Sequence, residues 1–384
     1  MSGLIRPTRI EVDLDAVVGN ARVVRALTGT PVLAVVKADG YGHGAAPVAA
    51  ALEASGQVAG FAVSLVEEGV ALRAAGLRAP ILVMGPSHHG GADELVARTL
   101  TPVISDPADW AELSAVARAR GLTVDVHLKV DTGMARLGLT QAAAAELAGR
   151  RGDGLRVVGL MTHFACADVD DPSADDNPTY RQLARFAEAE AVVRAAGAPL
   201  VVRHAANSSA AMLFPGARLD QVRTGIALYG NGAWASEADA GPALARRQAM
   251  RLVTRIAQLR TVEVGASVGY GALWTATRPT RVAVLPLGYA DGLPRRTTGH
   301  GQVLIGGRRC PLVGAVSMDI AIADVTDVPG VAPGDDATLL GGDGGGRQIR
   351  TAELAAWSAL SEYEVTCGMS KRVPRVYVGG AAAR

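Results

Sequence analysis

The chain has 384 residues, 49% of them hydrophobic, and a formal net charge of +1 from 38 basic and 37 acidic side chains. That length and apolar content suffice for two domains, each with its own core. The even charge balance excludes a basic footprint for nucleic acid or anionic membrane, and no apolar run reaches a membrane-spanning length.

In chain order, the opening MSGLIRPTRIEVDLD carries no apolar signal core, so a cytoplasmic protein is expected. Eight buried-type strand segments follow: 31–38, 60–66, 80–85, 100–105, 123–130, 156–164, 200–207 and 222–230. Helical stretches lie between them, such as GAAPVAAALEASG, PADWAELSAVARARG and a long one that Asn177-Pro178 is suited to start. Strand and helix alternating eight times point to parallel strands with crossovers, an N-terminal (β/α)8 TIM-type barrel over residues 1–237. A doubly wound open sheet is the alternative. The composition changes near NGAWASEADAGPALARRQ, at 231–248. Beyond it, short strands between Gly, Pro and Asp turns predict an all-β domain over 238–384, which the first ~13 residues could join. The run GGDGGG (341–346) lacks the strand-to-helix context of a phosphate loop and reads as a hairpin turn.

The chemistry concentrates at the strand ends, where barrels of this kind carry their sites. Only three lysines occur in the chain: Lys37, Lys129 and Lys371. Arginine supplies every other basic residue, yet it neither forms an imine nor deprotonates in a protein. A lysine in an apolar setting is driven toward the neutral amine, a nucleophile and a proton acceptor. Lys37 stands at the first strand end, in AVVKADGYGHG, and Lys129 and Asp131 stand at the fifth, with Arg136 just beyond. His163 closes the sixth, Asn207 and Ser208 close the seventh, and Arg223 and Gly225 fall in the eighth. Asn207-Ser208-Ser209 reads either as a plain helix cap or as a phosphate site, since helix starts after the last two barrel strands hold phosphate. An imine-forming lysine with such a cup suggests pyridoxal phosphate. His127 and His204 read as structural. His163 alone reads as a core histidine, and Tyr270, in a Gly-flanked turn of the second domain, is by itself a weak signal. The three cysteines (Cys166, Cys310, Cys367) are too few and too scattered for a disulfide framework or a metal knuckle, and no metal site is expected. A metal-dependent hydrolase bridging through Lys129 would want a His-x-His pair at the first strand end, which residues 35–43 do not offer.

Taken together, AVVKADGYGHG, HLKVDTGMARLG, GLMTHFACAD, HAANSS, VRTGIALYG, SVGYGALW, LPLGYADG, VSMD and RVPRVY resemble the alanine racemases, fold-type III pyridoxal phosphate enzymes. The match runs in order from residue 8 to 377. The resemblance implies that Lys37 carries the cofactor and acts as the base on the D-side of the substrate. Tyr270, from a second subunit, would act on the L-side. It further implies that Arg223 faces the pyridine nitrogen, linked to His163. Tyr41, Ser208 and the backbone of Gly225 and Ile226 would hold the phosphate, beside the Asn207 cap. Arg136 and the backbone of Met318 would take the substrate carboxylate, and Lys129 matches a position carbamylated in some members. Homodimers with shared active sites are expected, with no nucleic acid or membrane partner. Ala315, Ser317 and Lys371 depart from the family pattern, where an arginine, a cysteine and a tyrosine are common. These changes suggest a broader amino-acid or serine racemase as the alternative to strict alanine specificity. Two remoter readings are a fold-type III decarboxylase, whose own signatures are missing, and a non-catalytic pyridoxal phosphate carrier, for which the second domain and Tyr270 are superfluous.

Overall fold

The computed structural model describes residues 5–88, 90–174, 176–232 and 246–380. They divide into two compact units, one built on residues 17–228 and the other on 5–16, 229–231 and 247–380. The expected boundary at 237/238 lies outside the described residues. Among the described residues, no helix is long and apolar enough to cross a membrane.

In the first unit eight parallel strands are laid side by side: β1 (Val32–Val35), β2 (Gly60–Val63), β3 (Ile81–Val83), β4 (Thr101–Ile104), β5 (Val124–Lys129), β6 (Leu155–Met161), β7 (Val202–His204) and β8 (Val222–Thr224). The order around the sheet is β7-β6-β5-β4-β3-β2-β1-β8, so the first strand pairs with both the second and the last. Between β7 and β8 no regular ladder forms. Two backbone bonds bridge the gap, Asp220 N to Arg203 O at 3.2 Å and Arg223 N to Ala206 O at 2.9 Å. The result is a nearly closed barrel whose strands are buried on both faces, which is why they read as unbroken apolar runs. β1, β2 and β3 have no residue facing water.

All eight strands are shorter than the sequence pattern suggests, and most of the excess lies at the C-terminal ends. Lys37 does not end β1, Gly225 lies past β8 rather than within it, and Asn207 is separated from β7 by two residues. At these ends the chain leaves the ladder to build loops, which hydropathy does not register.

Helix starts follow local capping chemistry. Asp106 accepts from Ala108 N ahead of Pro107–Ala119, and Asn177 Oδ1 accepts from Tyr180 N at 2.8 Å ahead of Pro178–Ala195.

The second unit is strand-rich. The strand Arg9–Asp13 lies between Met250–Arg255, antiparallel, and Arg375–Val378, parallel, in a seven-stranded sheet. A three-stranded sheet joins Gln258–Val262, Thr280–Leu285 and Ala321–Asp324. The GGDGGG segment joins Asp336–Gly342 to Gln348–Ile349, an antiparallel pair, so it is a hairpin turn. Two short helices, Thr351–Ser358 and Glu362–Cys367, interrupt the expected all-β pattern. The second starts on a capping box, Ser361 and Glu364 each bonding the other's backbone N–H.

Asn177 is nearly buried, and its amide also donates to Asp171 O and Ala174 O. Asn177→Ala is therefore expected to cost about 1–2 kcal/mol, read as a lowered urea midpoint. An unchanged midpoint would contradict the cap's role.

Candidate active site

Lys37 is half-buried and sits two residues past β1. The backbone then makes an unusual left-handed turn, with φ of 51° at Ala38, 54° at Asp39, 63° at Gly40 and 53° at Tyr41. Glycine adopts this region freely, but each of the other three residues stores strain of order 1–3 kcal/mol. The turn closes on itself through Gly40 N to Val36 O (2.8 Å), Gly42 N to Ala38 O (3.0 Å) and Gly44 N to Asp39 O (2.8 Å). It carries the Tyr41 ring, 7% exposed, onto Gly225. A Cβ at Gly225 would lie 2.3 Å from the Tyr41 hydroxyl, so only glycine fits there.

Arg223 is buried on β8, 3% exposed, and among the described residues no carboxylate pairs with it. Neutral acceptors surround its guanidinium instead. Nη1 donates to His204 Nδ1 at 2.9 Å and to His204 O at 2.8 Å. Nη2 donates to Thr162 O at 2.7 Å and Ala205 O at 3.0 Å, and lies 3.3 Å from His163 Nδ1. Burial lowers its pKa to about 9.

Because arginine can only donate, it dictates the histidine tautomers. His204 must accept at Nδ1 and so carries its proton on Nε2. That proton goes to His127 Nδ1, 2.8 Å away, which places the His127 proton on Nε2. Burial, then the Arg223 charge, hold His127 at a pKa of about 4 and His204 well below the usual histidine value. His163 is likewise held well below it, first by burial and then by the charges of Arg223, Arg136, Lys129 and Lys37. Space for the His127 ring comes from β6, where a Cβ at Gly159 would stand 2.4 Å from the ring carbons. Sequence reasoning set His127 and His204 aside as structural. The structure ties both to Arg223, and their alternation with apolar strand residues had concealed them.

The cup after β7 and β8 forms in the same mouth. Asn207 is the actual cap of the helix Ser208–Leu213, accepting from Ala210 N at 2.9 Å. Ser208 therefore is not the cap. Its Oγ accepts from Gly225 N at 3.0 Å and Ala227 N at 3.4 Å, joining the two loops. With its lone pairs engaged, the hydroxyl proton is left to donate outward. Ile226 is buried directly after Gly225.

Lys129 ends β5 and is 6% exposed. Its pKa falls to about 8, first through burial, then through the charges of Arg136 and Arg223; Asp131 opposes the shift. The Asp131 carboxylate stays below its ordinary range against a burial cost, because Gly133, Met134 and Ala135 N–H groups donate to it. That turn presents Arg136 as an exposed guanidinium. Lys37, Lys129, Arg136, His163 and Arg223, from four strand ends, thus share one electrostatic field with Asp131 as its anion.

In the second unit Tyr270 occupies a tight turn between Gly269 and Gly271, with φ of 76° and 75°, and is 74% exposed. The turn packs on Gly314-Ala315, where a Cβ at Gly269 would meet Ala315 N at 3.1 Å. Ala315 is buried, Met318 is 52% exposed, and Lys371 is exposed. The Ser317 hydroxyl donates to Ile320 O, and Tyr289 N and Ala290 N bond the carbonyls of Ser317 and Met318. Asp291 fixes this loop's base, gripped by Arg6 at 2.6 and 2.9 Å and by Arg372 at 2.7 Å.

Fold and site together define a barrel protein of (β/α)8 type with a cationic, anion-accepting mouth and a strand-rich second unit. The family model for the alanine racemase N-terminal domain matches residues 12–232, and that for the C-terminal domain matches 249–377. The chain belongs to the alanine racemase family. It is 44% identical to an alanine racemase of Sorangium cellulosum, over 97% of this chain and 99% of that one. It is also 44% identical to one of Symbiobacterium thermophilum, over 98% and 99%. Its fold superposes on alanine racemase from D-cycloserine-producing Streptomyces lavendulae with a TM-score of 0.91 at 34% identity, covering 99% of each chain. The Bacillus anthracis enzyme with bound L-Ala-P gives 0.85 at 31%, covering 98% of this chain and 96% of that one.

The depressed histidines give a pH prediction. His127 has a folded pKa of about 4 against an unfolded value near 6.5, so the unfolded chain binds more protons between them. His127 therefore favours the folded state above about pH 6.5, and that contribution drains away as pH falls toward about 4. Histidine ¹⁵N spectra across this range should show His127 unprotonated at pH 6. A His127 midpoint near 6.5 would contradict the buried chain.

Proposed function

We propose that this protein is a pyridoxal phosphate-dependent racemase interconverting L- and D-alanine by a two-base mechanism. One observation carries the reading: an apolar barrel mouth gathers Lys37, Lys129, Arg136, His163 and Arg223 beside the Ser208–Gly225 cup. That donor set suits a dianionic phosphate and a carboxylate, and the Tyr41 ring packed on Gly225 brings its phenol hydroxyl to the same cup. When bound, pyridoxal phosphate supplies an electron sink that acidifies the substrate's α-proton.

The chain's residues divide the remaining work. Lys37 Nζ holds the cofactor aldehyde and afterwards takes or returns the proton on the D-side. The phenol of Tyr270, contributed by a second copy of the chain, does so on the L-side. Inversion needs two groups on opposite faces, each within hydrogen-bond reach of the α-proton. Ser208 would donate its hydroxyl proton to the phosphate, with the Tyr41 phenol and the Ile226 N–H beside it, while the Gly225 N–H stays bonded to Ser208 Oγ and Asn207 fixes the helix start. Arg223 would present a donor to the ring nitrogen, and His204 turns its unprotonated Nδ1 toward the guanidinium, so it passes no proton to it. Arg136 and Met318 N grip the substrate carboxylate. Lys129, at a pKa of about 8, reaches the neutral amine that carbon dioxide requires, and its carbamate would orient Arg136. Exposure of Tyr270 at 74%, Leu273 at 65% and Met318 at 52% supports a homodimer that covers this face. The small side chains of Ala315 and Ser317 favour, as a second reading, a pocket that also admits serine or larger amino acids.

Lys37→Ala and Tyr270→Phe are each expected to lower racemization of both alanine enantiomers by at least about 10²–10⁴-fold, measured by polarimetry and solvent deuterium uptake. Lys37→Ala should also abolish the borohydride-sensitive visible band. Racemization surviving in either variant at the native rate would sink the two-base assignment.

A further inference from the structure

The left-handed turn after Lys37 is anchored from outside by a residue that the proposed mechanism does not use. Glu68 is the third residue of the helix Val66–Ala74. Its Oε2 accepts from Ser64 N at 2.8 Å and Leu65 N at 3.0 Å, closing the open start of that helix. A carboxylate suits this position, facing the positive end of the helix dipole. Its Oε1 is aimed elsewhere and accepts from Ala38 N at 2.5 Å. One carboxylate thus joins two neighbouring barrel loops.

Ala38 is the residue next to Lys37 and the first of the four with positive φ. Bonds within the turn include Gly40 N to Val36 O, Gly42 N to Ala38 O, Gly44 N to Asp39 O, and Ala45 N to Asp39 Oδ1 at 2.8 Å. These bonds shape the turn, and Val36 N to Ala62 O at 3.0 Å ties its start to the next strand. Glu68 supplies a fixed external point at the residue where the strain begins. What the turn orients are its two ends, Lys37 on one side and the Tyr41 ring against Gly225 on the other.

We infer that Glu68 is a positioning residue for Lys37: its bond to Ala38 N–H locks the left-handed turn that sets the Lys37 amine relative to the Tyr41–Gly225 phosphate cup. The role rests on the reading that Lys37 carries pyridoxal phosphate. It separates the two carboxylate oxygens by task, one for the helix start and one for the lysine turn. A glutamine has a single acceptor oxygen, and its amide NH2 can only donate. Glu68→Gln can therefore keep the helix start or the Ala38 bond, not both.

The experiment begins with the native holoenzyme. Borohydride should bleach its visible band and leave the label on the Lys37 peptide. Absence of that label overturns the parent reading and the positioning role with it. Given the label, Glu68→Gln is expected to raise the pyridoxal phosphate dissociation constant about tenfold and to move the pH midpoint of the visible band, because a charge-assisted bond is lost. The urea midpoint of the apoprotein is expected to change little, since the glutamine oxygen can still close the helix. A variant whose urea midpoint is unchanged, so that the helix start is kept and the Ala38 bond is lost, and which still shows native cofactor affinity and a native band midpoint overturns the inference while leaving the parent reading intact. Should the variant not fold, hydrogen exchange in the native holoenzyme decides. The Ala38 amide is expected to be protected like those of β2, and exchange at the rate of an exposed loop amide overturns the role.

Discussion

The burial of the Arg223 guanidinium without a carboxylate constrains the whole barrel mouth. A buried cation needs compensation, and the usual answer is an anion. Here the compensation is a ring of carbonyl oxygens and histidine nitrogens, every one of them neutral. Those carbonyls come from Thr162, His204 and Ala205, just where β6 and β7 give up their ladders. His204 O also accepts from Thr162 N at 3.4 Å, so it serves the neighbouring chain and the guanidinium together. The Arg223 backbone also ties the seam between β7 and β8, its N–H donating to Ala206 O at 2.9 Å.

This choice propagates. Burial first, and then the positive charges of the mouth, including Arg136 and an Arg223 that no carboxylate pairs with among the described residues, push His163 and Lys129 toward their neutral forms. A mouth arranged in this way attracts phosphate and carboxylate from solution while keeping an amine able to accept a proton. In the proposed site, the arginine also offers the ring nitrogen a hydrogen bond without an acidic proton to surrender. Under the proposed function the electron sink would be a moderate one, which suits a racemase that must return the proton it removes.

Much of the architecture could be read from the chain. The apolar runs are visible because most strand residues are buried on both faces, β1, β2 and β3 wholly so, and the polar residues at their ends stand out against them. The scarcity of lysine drew attention to Lys37 and Lys129, the latter now seen buried with a depressed pKa. Other features had no legible signal. Gly40, Gly42 and Gly44 announce a loop after Lys37, but nothing announces that Ala38, Asp39 and Tyr41 share the left-handed region, because side-chain-bearing residues rarely adopt it. The His127–His204 chain was hidden because a histidine inside a strand looks the same whether it fills space or relays a hydrogen bond. Only the tertiary arrangement, with Gly159 making room for the ring, separates the two cases. The helices at 351–358 and 362–367 were lost in a segment dominated by turns, although the capping pair Ser361 and Glu364 was present to mark the second.

The central claim is that Arg223 acts as a cationic donor among neutral partners and leaves the cofactor ring nitrogen unprotonated. The most direct measurement is the ¹⁵N chemical shift of ring-labelled pyridoxal phosphate bound to the protein at neutral pH, where Arg223, with a pKa of about 9, keeps its charge. The account predicts the shift of a hydrogen-bonded neutral pyridine. A pyridinium shift would contradict it.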